Sequence, residues 1–147
     1  TLIPENKSCM FATVFCAVLN IRTGELRYSN AGHNPPLMYI KEKGSFEYMK
    51  VEHGFVLGVM DTFNYKTCNC TMNPGDFIFL YTDGVTEAMD REHKLYSEKR
   101  LLNFVNSLDQ FQVESVINSM RQDLLTFVQD EPQSDDITML TLHYKGL

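Results

Sequence analysis

Short apolar runs separated by turn residues fill the first half of the chain, a pattern that predicts mainly β structure. Residues 11–20 are almost continuously apolar, which predicts a strand buried on both faces and central in its sheet. A Thr-Gly dipeptide separates this segment from residues 25–30, where apolar and polar side chains alternate. The two segments are therefore predicted to pair as an antiparallel hairpin.

Two further hairpins are predicted downstream. Residues 37–40 and 46–51 flank a Lys-Gly dipeptide, and residues 64–72 and 77–82 flank the Asn-Pro-Gly-Asp turn at 73–76. In that turn the proline fixes φ and the glycine supplies the positive φ that a tight turn often needs.

Helical spacing replaces the strand pattern in the second half of the chain. Residues 99–108 carry apolar side chains at helical spacing, with Ser97 as a plausible N-cap. Residues 112–128 form a longer apolar stripe, and Asp109 with Gln112 resembles a capping box. We expect the longer helix to pack on a sheet.

The last predicted element is a strand at residues 137–144, where apolar residues alternate with threonine. Because the chain has 147 residues, 44% of them hydrophobic, and no internal repeat, residues 1–147 are predicted to form one α+β domain. The chain begins with Thr1, close to the first predicted strand, so it reads as a segment cut from something longer.

Charge limits the classes of partner. The formal net charge is −6, which argues against nucleic-acid binding because phosphate backbones are held by clustered Lys and Arg. No apolar run approaches the roughly 20 residues that span a bilayer, so no membrane contact is expected. An anionic substrate would need a cation supplied from outside the chain.

Four cysteines, Cys9, Cys16, Cys68 and Cys70, lack the spacing of a zinc finger. We interpret them as reduced structural thiols, which favours a cytoplasmic location.

Two acidic motifs adjoin predicted strands. Asp83-Gly84 follows one strand, and Asp135-Asp136 precedes another. Hard divalent cations such as Mg²⁺ and Mn²⁺ prefer carboxylate oxygens, so both motifs are candidate metal ligands. A turn at Asp83-Gly84 and a solvated loop at Asp135-Asp136 are the alternative, and the pattern alone leaves both open.

These motifs belong to a longer ordered series. In chain order the series is Ala31-Gly32-His33-Asn34-Pro35-Pro36, Leu57-Gly58-Val59, Pro74-Gly75-Asp76, the block Leu-Tyr-Thr-Asp-Gly-Val-Thr-Glu-Ala at 80–88, and Asp135-Asp136-Ile137-Thr138. The series resembles the SpoIIE/RsbU-type serine phosphatases, bacterial members of the metal-dependent protein phosphatase 2C (PPM) superfamily, over about residues 11–144.

The resemblance implies a protein phosphatase 2C-like α-β-β-α sandwich with mainly antiparallel sheets and two Mn²⁺ or Mg²⁺ ions. It implies that a metal-activated water hydrolyses phosphoserine or phosphothreonine on a regulatory protein of the anti-sigma-factor antagonist type. By position in the motifs, Asp83 and Asp135 would be metal ligands, whereas Gly84, Glu87 and Asp136 would lie next to the metal.

The family's N-terminal metal motifs are absent, so the resemblance implies an N-terminally truncated domain. We therefore expect weak metal binding and little activity from this segment alone, within a larger phosphatase. The sequence leaves open whether that protein has an upstream sensor domain and whether it is a dimer. The alternative is a catalytically inactive phosphatase-like module that binds a partner protein or regulates a sensor domain. A haloacid-dehalogenase-type mechanism is disfavoured because Tyr81 occupies the position of its nucleophilic aspartate. His33 is interpreted as a turn residue rather than a general acid or base.

Overall fold

The structure is a computed structural model that describes residues 10–147 except 53, 61 and 109–112. The strands are β1 Val14–Leu19, β2 Glu25–Ala31, β3 Leu37–Ile40, β4 Ser45–Tyr48, β5 Cys68–Thr71, β6 Phe77–Tyr81 and β7 Met139–His143. The helices are α1 Asp83–Thr86, α2 Ser97–Asn106 and α3 Val113–Val128. The predicted change from strands to helices after the first half of the chain is confirmed.

These strands form two antiparallel sheets. One has the order β1-β2-β5, and the other has the order β4-β3-β6-β7. The predicted β1–β2 and β3–β4 hairpins are confirmed, and β7 pairs with β6, the strand that carries the first acidic motif at its end.

Strand β6 separates two apolar cores. Its odd-numbered aromatic side chains, Phe77, Phe79 and Tyr81, belong to the core between the four-stranded sheet and the helices. Ile78 and Leu80 point the other way, into a smaller core between the two sheets. The five-residue apolar run of β6 is explained by burial on both faces, because side chains alternate along a strand.

Helices α2 and α3 cover one face of the four-stranded sheet. Their fully or nearly buried side chains recur at helical spacing and are Leu101, Val105, Val116, Met120 and Leu124. The apolar stripes that predicted these helices are therefore the surfaces that contact the sheet. Helix α2 begins at Ser97, whose Oγ accepts a hydrogen bond from the Arg100 backbone nitrogen at 3.4 Å. The predicted capping box at 109–112 lies outside the described residues.

The prediction for the first strand is wrong in one respect. Strand β1 forms, but among the described strands it lies at the edge of its sheet, next to β2. Its outward side chains are exposed, and Val18 retains 68% of its accessible surface. An apolar run on both faces of a strand needs a layer on each face to bury it, and the described residues provide a layer on one.

The predicted pairing of residues 64–72 with 77–82 is also wrong. Strand β5 pairs with β2, so the two segments lie in different sheets. The turn between them passes from one sheet to the other and is held by the buried Asp76. Its carboxylate accepts hydrogen bonds from the backbone nitrogens of Lys41, at 2.9 Å, and Asn73, at 2.8 Å.

Cys68 and Cys70 share one face of β5 and pack partly buried against the core between the sheets. Cys16 is exposed, and all three thiols are free. Within the described part of the chain, no helix is long and apolar enough to cross a membrane.

Candidate functional site

The antiparallel pairing of β6 with β7 brings the two acidic motifs together. In this register Tyr81, the last residue of β6, is paired with Met139, the first residue of β7. Asp83 lies two residues after the end of β6, and Asp135-Asp136 precedes β7 by a few residues. Two motifs that are about fifty residues apart in the chain therefore meet at one edge of the four-stranded sheet.

Thr82 links the two motifs through its backbone and its side chain. Its backbone nitrogen donates to the Thr138 carbonyl at 3.1 Å. Its hydroxyl donates to the Asp136 carbonyl at 2.8 Å and accepts from the Thr138 backbone nitrogen at 2.9 Å. One threonine thus fixes the loop before β7 against the end of β6. Thr82 was not among the site residues predicted from the sequence, although its position between an apolar strand and Asp83-Gly84 could have indicated a role at the site.

Gly84 allows the closest approach between these segments. A Cβ added at Gly84 would lie 2.6 Å from the Asp136 carbonyl oxygen and 3.1 Å from that of Asp135. Any larger residue would push α1 away from the loop that carries the aspartates. The glycine therefore makes room for backbone at the site.

The candidate carboxylates are exposed at this edge. One oxygen of Asp83 accepts from the Gly84 backbone nitrogen at 3.1 Å, and one oxygen of Asp135 accepts from the Asp136 nitrogen at 2.7 Å. Asp136 and Glu87 are exposed beside them, and none of the four forms an ion pair with the described residues. Neighbouring unpaired carboxylates repel one another unless a cation neutralises them.

The donor chemistry of this edge fits a hard divalent cation, since its exposed acidic side chains offer carboxylate oxygens. The number of donors falls short, because the described residues contain no group of three or more His, Cys, Asp or Glu that could hold a metal ion. Asp83 and Asp135 therefore fit part of a Mn²⁺ or Mg²⁺ site that needs further ligands.

The turn at residues 31–36 places His33 within electrostatic range of Asp83. The Asn30 side chain donates to the His33 carbonyl at 2.7 Å and accepts from the His33 backbone nitrogen at 2.8 Å. Burial lowers the pKa of the His33 imidazole, and the nearby Asp83 carboxylate acts in the opposite direction. The turn is thus held by Asn30, and the His33 ring lies within electrostatic range of the candidate site.

A sequence model of the Stage II sporulation protein E (SpoIIE) family matches residues 1–145, nearly the whole chain. The chain belongs to the SpoIIE family.

Curated relatives of this SpoIIE-family chain include two longer bacterial proteins. The chain is 29% identical over 134 residues to Protein IcfG of Synechocystis sp., covering 91% of the chain and 21% of that protein. It is 30% identical over 139 residues to the phosphoserine phosphatase RsbU of Bacillus subtilis, covering 92% of the chain and 40% of RsbU. The chain thus spans well under half the length of either relative.

Solved structures give the fold. The RsbU and RsbW domains of Rv1364c from Mycobacterium tuberculosis match with a TM-score of 0.71 at 25% identity, covering 97% of the chain and 39% of that structure. The phosphatase domain of Bacillus subtilis SpoIIE matches with a TM-score of 0.69 at 10% identity, covering 90% of the chain and 56% of that domain. The SpoIIE-family chain therefore has the α+β protein phosphatase 2C-like fold that its motifs predicted.

Proposed function

We propose that the protein containing this chain is a metal-dependent protein serine/threonine phosphatase. The observation that carries the proposal is the meeting of Asp83 with Asp135 at one sheet edge in a chain of the SpoIIE family. The similarity to the phosphoserine phosphatase RsbU supports phosphoserine or phosphothreonine as the substrate.

The proposed roles of the residues follow from the geometry of the edge. Asp83 and Asp135 hold Mn²⁺ or Mg²⁺ together with ligands supplied from elsewhere in the protein. When bound, such ions lower the pKa of water and neutralise phosphoryl charge, so that no covalent enzyme intermediate is needed. Gly84 and Thr82 keep the two motifs at a fixed spacing, whereas Glu87 and Asp136 add negative charge beside the ligands.

The proposed partner is a phosphorylated regulatory protein in a partner-switching system in the cytoplasm. The match to a structure that contains RsbU and RsbW domains supports a protein partner rather than a small molecule. The free thiols support a reducing compartment.

Phosphate release from a phosphoserine protein by the full-length protein, measured with and without Mn²⁺, tests the proposal. Asp83→Asn and Asp135→Asn should each reduce the Mn²⁺-dependent rate by at least about a hundredfold, because each removes a charged ligand. Glu42→Gln, in the exposed β3–β4 turn, is the matched control and should leave the rate unchanged. Wild-type rates in both aspartate variants would overturn the assignment.

A second candidate function is a catalytically inactive module that binds a partner protein. The shortage of metal-binding side chains in the described residues favours it. Metal titration by calorimetry separates the two functions. A phosphatase binds Mn²⁺ as the full-length protein and weakly as residues 1–147 alone, whereas an inactive module binds it in neither form.

A further inference from the structure

A groove runs along the second half of helix α3 and has a volume of about 480 Å³. Its lining includes Leu125 and Val128 of α3 and Met89, which follows α1. Gly84 and Ser134 lie in the same lining. Because these two residues are the chain neighbours of Asp83 and Asp135, the groove is continuous with the candidate metal edge.

The apolar side chains in the groove are more exposed than core packing requires. Leu125 retains 52% of its accessible surface and Met89 retains 40%. The core face of α3 is supplied by other residues, including Leu124, which is 4% exposed. Leu125 and Met89 are therefore available for contact with a partner.

Arg121 gives the groove a cation, one helical turn before Leu125. The two other arginines close to α3 are paired, Arg91 with Asp130 and Arg100 with Asp123. The Arg121 side chain forms no ion pair or hydrogen bond with the residues that the structure describes. In a chain of net charge −6, this unpaired guanidinium complements an acidic ligand.

One acidic side chain, that of Glu131, also lines the groove, and it forms no ion pair with the described residues either. The lining therefore offers one local cation beside apolar surface rather than a broad positive field. Such a surface selects by individual contacts, with an acidic group at Arg121 and an apolar group at Leu125 and Met89.

We propose that this groove binds the segment of the phosphoprotein substrate that flanks the phosphorylated residue. An apolar side chain of that segment packs on Leu125 and Met89, and an acidic side chain pairs with Arg121. Binding of the phosphoryl group at a metal site formed with Asp83 and Asp135 would identify the modification and not the protein, so discrimination between phosphoproteins needs a surface of this kind. The proposal rests on the proposed phosphatase function.

The test uses the full-length protein with Mn²⁺ and a set of short phosphoserine peptides. Aspartate, lysine or alanine occupies successive positions on either side of the phosphoserine. At one position the wild type should prefer aspartate over lysine by about tenfold in kcat/KM, through KM, because Arg121 attracts the aspartate and repels the lysine. Arg121→Glu should reverse that preference, and this charge swap distinguishes recognition from a general loss of structure.

A second set of peptides with leucine or alanine at the same positions tests the apolar contact. Leu125→Gln should remove most of the preference for leucine. Ile21→Gln and Arg22→Glu, matched changes in the exposed β1–β2 turn, should leave both preferences at their wild-type values.

Three results would overturn the proposal. Hydrolysis of all peptides with no positional preference would show that the groove does not bind the substrate. A lower melting temperature in both Arg121→Glu and Leu125→Gln would show that another part of the same protein covers the groove. No hydrolysis of any peptide or of p-nitrophenyl phosphate by the wild type would overturn the phosphatase function itself, and the groove proposal with it.

Discussion

The two sheets of this molecule have similar apolar strands and very different environments. The four-stranded sheet is covered by α2 and α3, and its central strand β6 is buried on both faces. The three-stranded sheet packs one face against the other sheet and leaves the opposite face of β1 exposed. Burial of a strand is therefore decided by the layers on either side and not by the strand's own composition.

The candidate site lies on the sheet that is covered by helices. The acidic motifs are attached to β6 and β7 of the covered sheet, so their backbone is anchored in the larger core. Exposed carboxylates on an anchored backbone keep a fixed spacing, which a metal site requires.

The largest loss of stability is expected from truncating a buried side chain of the helix-covered sheet. Phe79 of β6 is 0% exposed and stacks near Tyr81 in the helix-covered core. Phe79→Ala should lower the free energy of unfolding by about 3–5 kcal/mol, because it removes a buried ring and leaves a cavity. Urea denaturation of the full-length protein measures the loss. A change below about 1 kcal/mol would contradict the assignment of this core.

The second-largest loss of stability is expected at the turn that links the two sheets. Asp76 is 1% exposed and holds the turn that leads from β5 to β6 through two backbone nitrogens. Asp76→Ala should lower the free energy of unfolding by about 2–3 kcal/mol, since it removes a buried acceptor from two partly buried backbone donors. Asp130→Ala, at an exposed residue, is the control and should cost less than about 1 kcal/mol in the same denaturation experiment. Equal losses of unfolding free energy in the two variants would contradict the proposal that Asp76 stabilises the turn between the sheets.

A smaller effect on stability, with a specific effect on the site, is expected at Thr82. Thr82→Val removes the hydroxyl that joins Asp136 to Thr138 and should cost about 1–2 kcal/mol. It should also weaken Mn²⁺ binding, measured by calorimetry on the full-length protein, whereas Thr82→Ser should retain both properties.

The matched control is Thr126→Val, on the exposed face of α3, where the hydroxyl bonds only to its own helix. It should leave metal binding unchanged. Wild-type Mn²⁺ affinity in Thr82→Val would show that the link does not set the spacing of the carboxylates.

The smallest effect is expected on the open face of the other sheet. Val18 of β1 is 68% exposed, and threonine keeps its shape and its β-branch. Val18→Thr should therefore change the free energy of unfolding by less than about 0.5 kcal/mol. A loss of more than about 1.5 kcal/mol in the full-length protein would show that another layer covers this face. The difference in burial between β1 and β6 would then hold only for the described residues.

Much of the fold could be predicted from local patterns. The stripe of α3, the β1–β2 and β3–β4 hairpins and the apolar run of β6 each follow from spacing that one element imposes on its own sequence. The pairing of β5 could not be predicted in this way. Asn-Pro-Gly-Asp at 73–76 has the residues of a tight turn, but it joins strands of different sheets.

The candidate site shows the same division. The order of the motifs was enough to identify Asp83, Gly84 and Asp135 as candidate site residues, because residue type and chain order can be read from the sequence alone. The role of Thr82 could not be predicted, since its partners Asp136 and Thr138 are more than fifty residues away in the chain.

The sequence by itself determined the family, the types of the elements and the carboxylates that could meet a metal, because these depend on residue identity, spacing and order. Only the tertiary structure decided that β1 lies at the end of its sheet, that Thr82 joins the two acidic motifs and that Arg121, which has no ion-pair partner among the described residues, lies in an apolar groove. Those features depend on which distant segments come into contact, and that is settled by the packing of layers rather than by any local pattern.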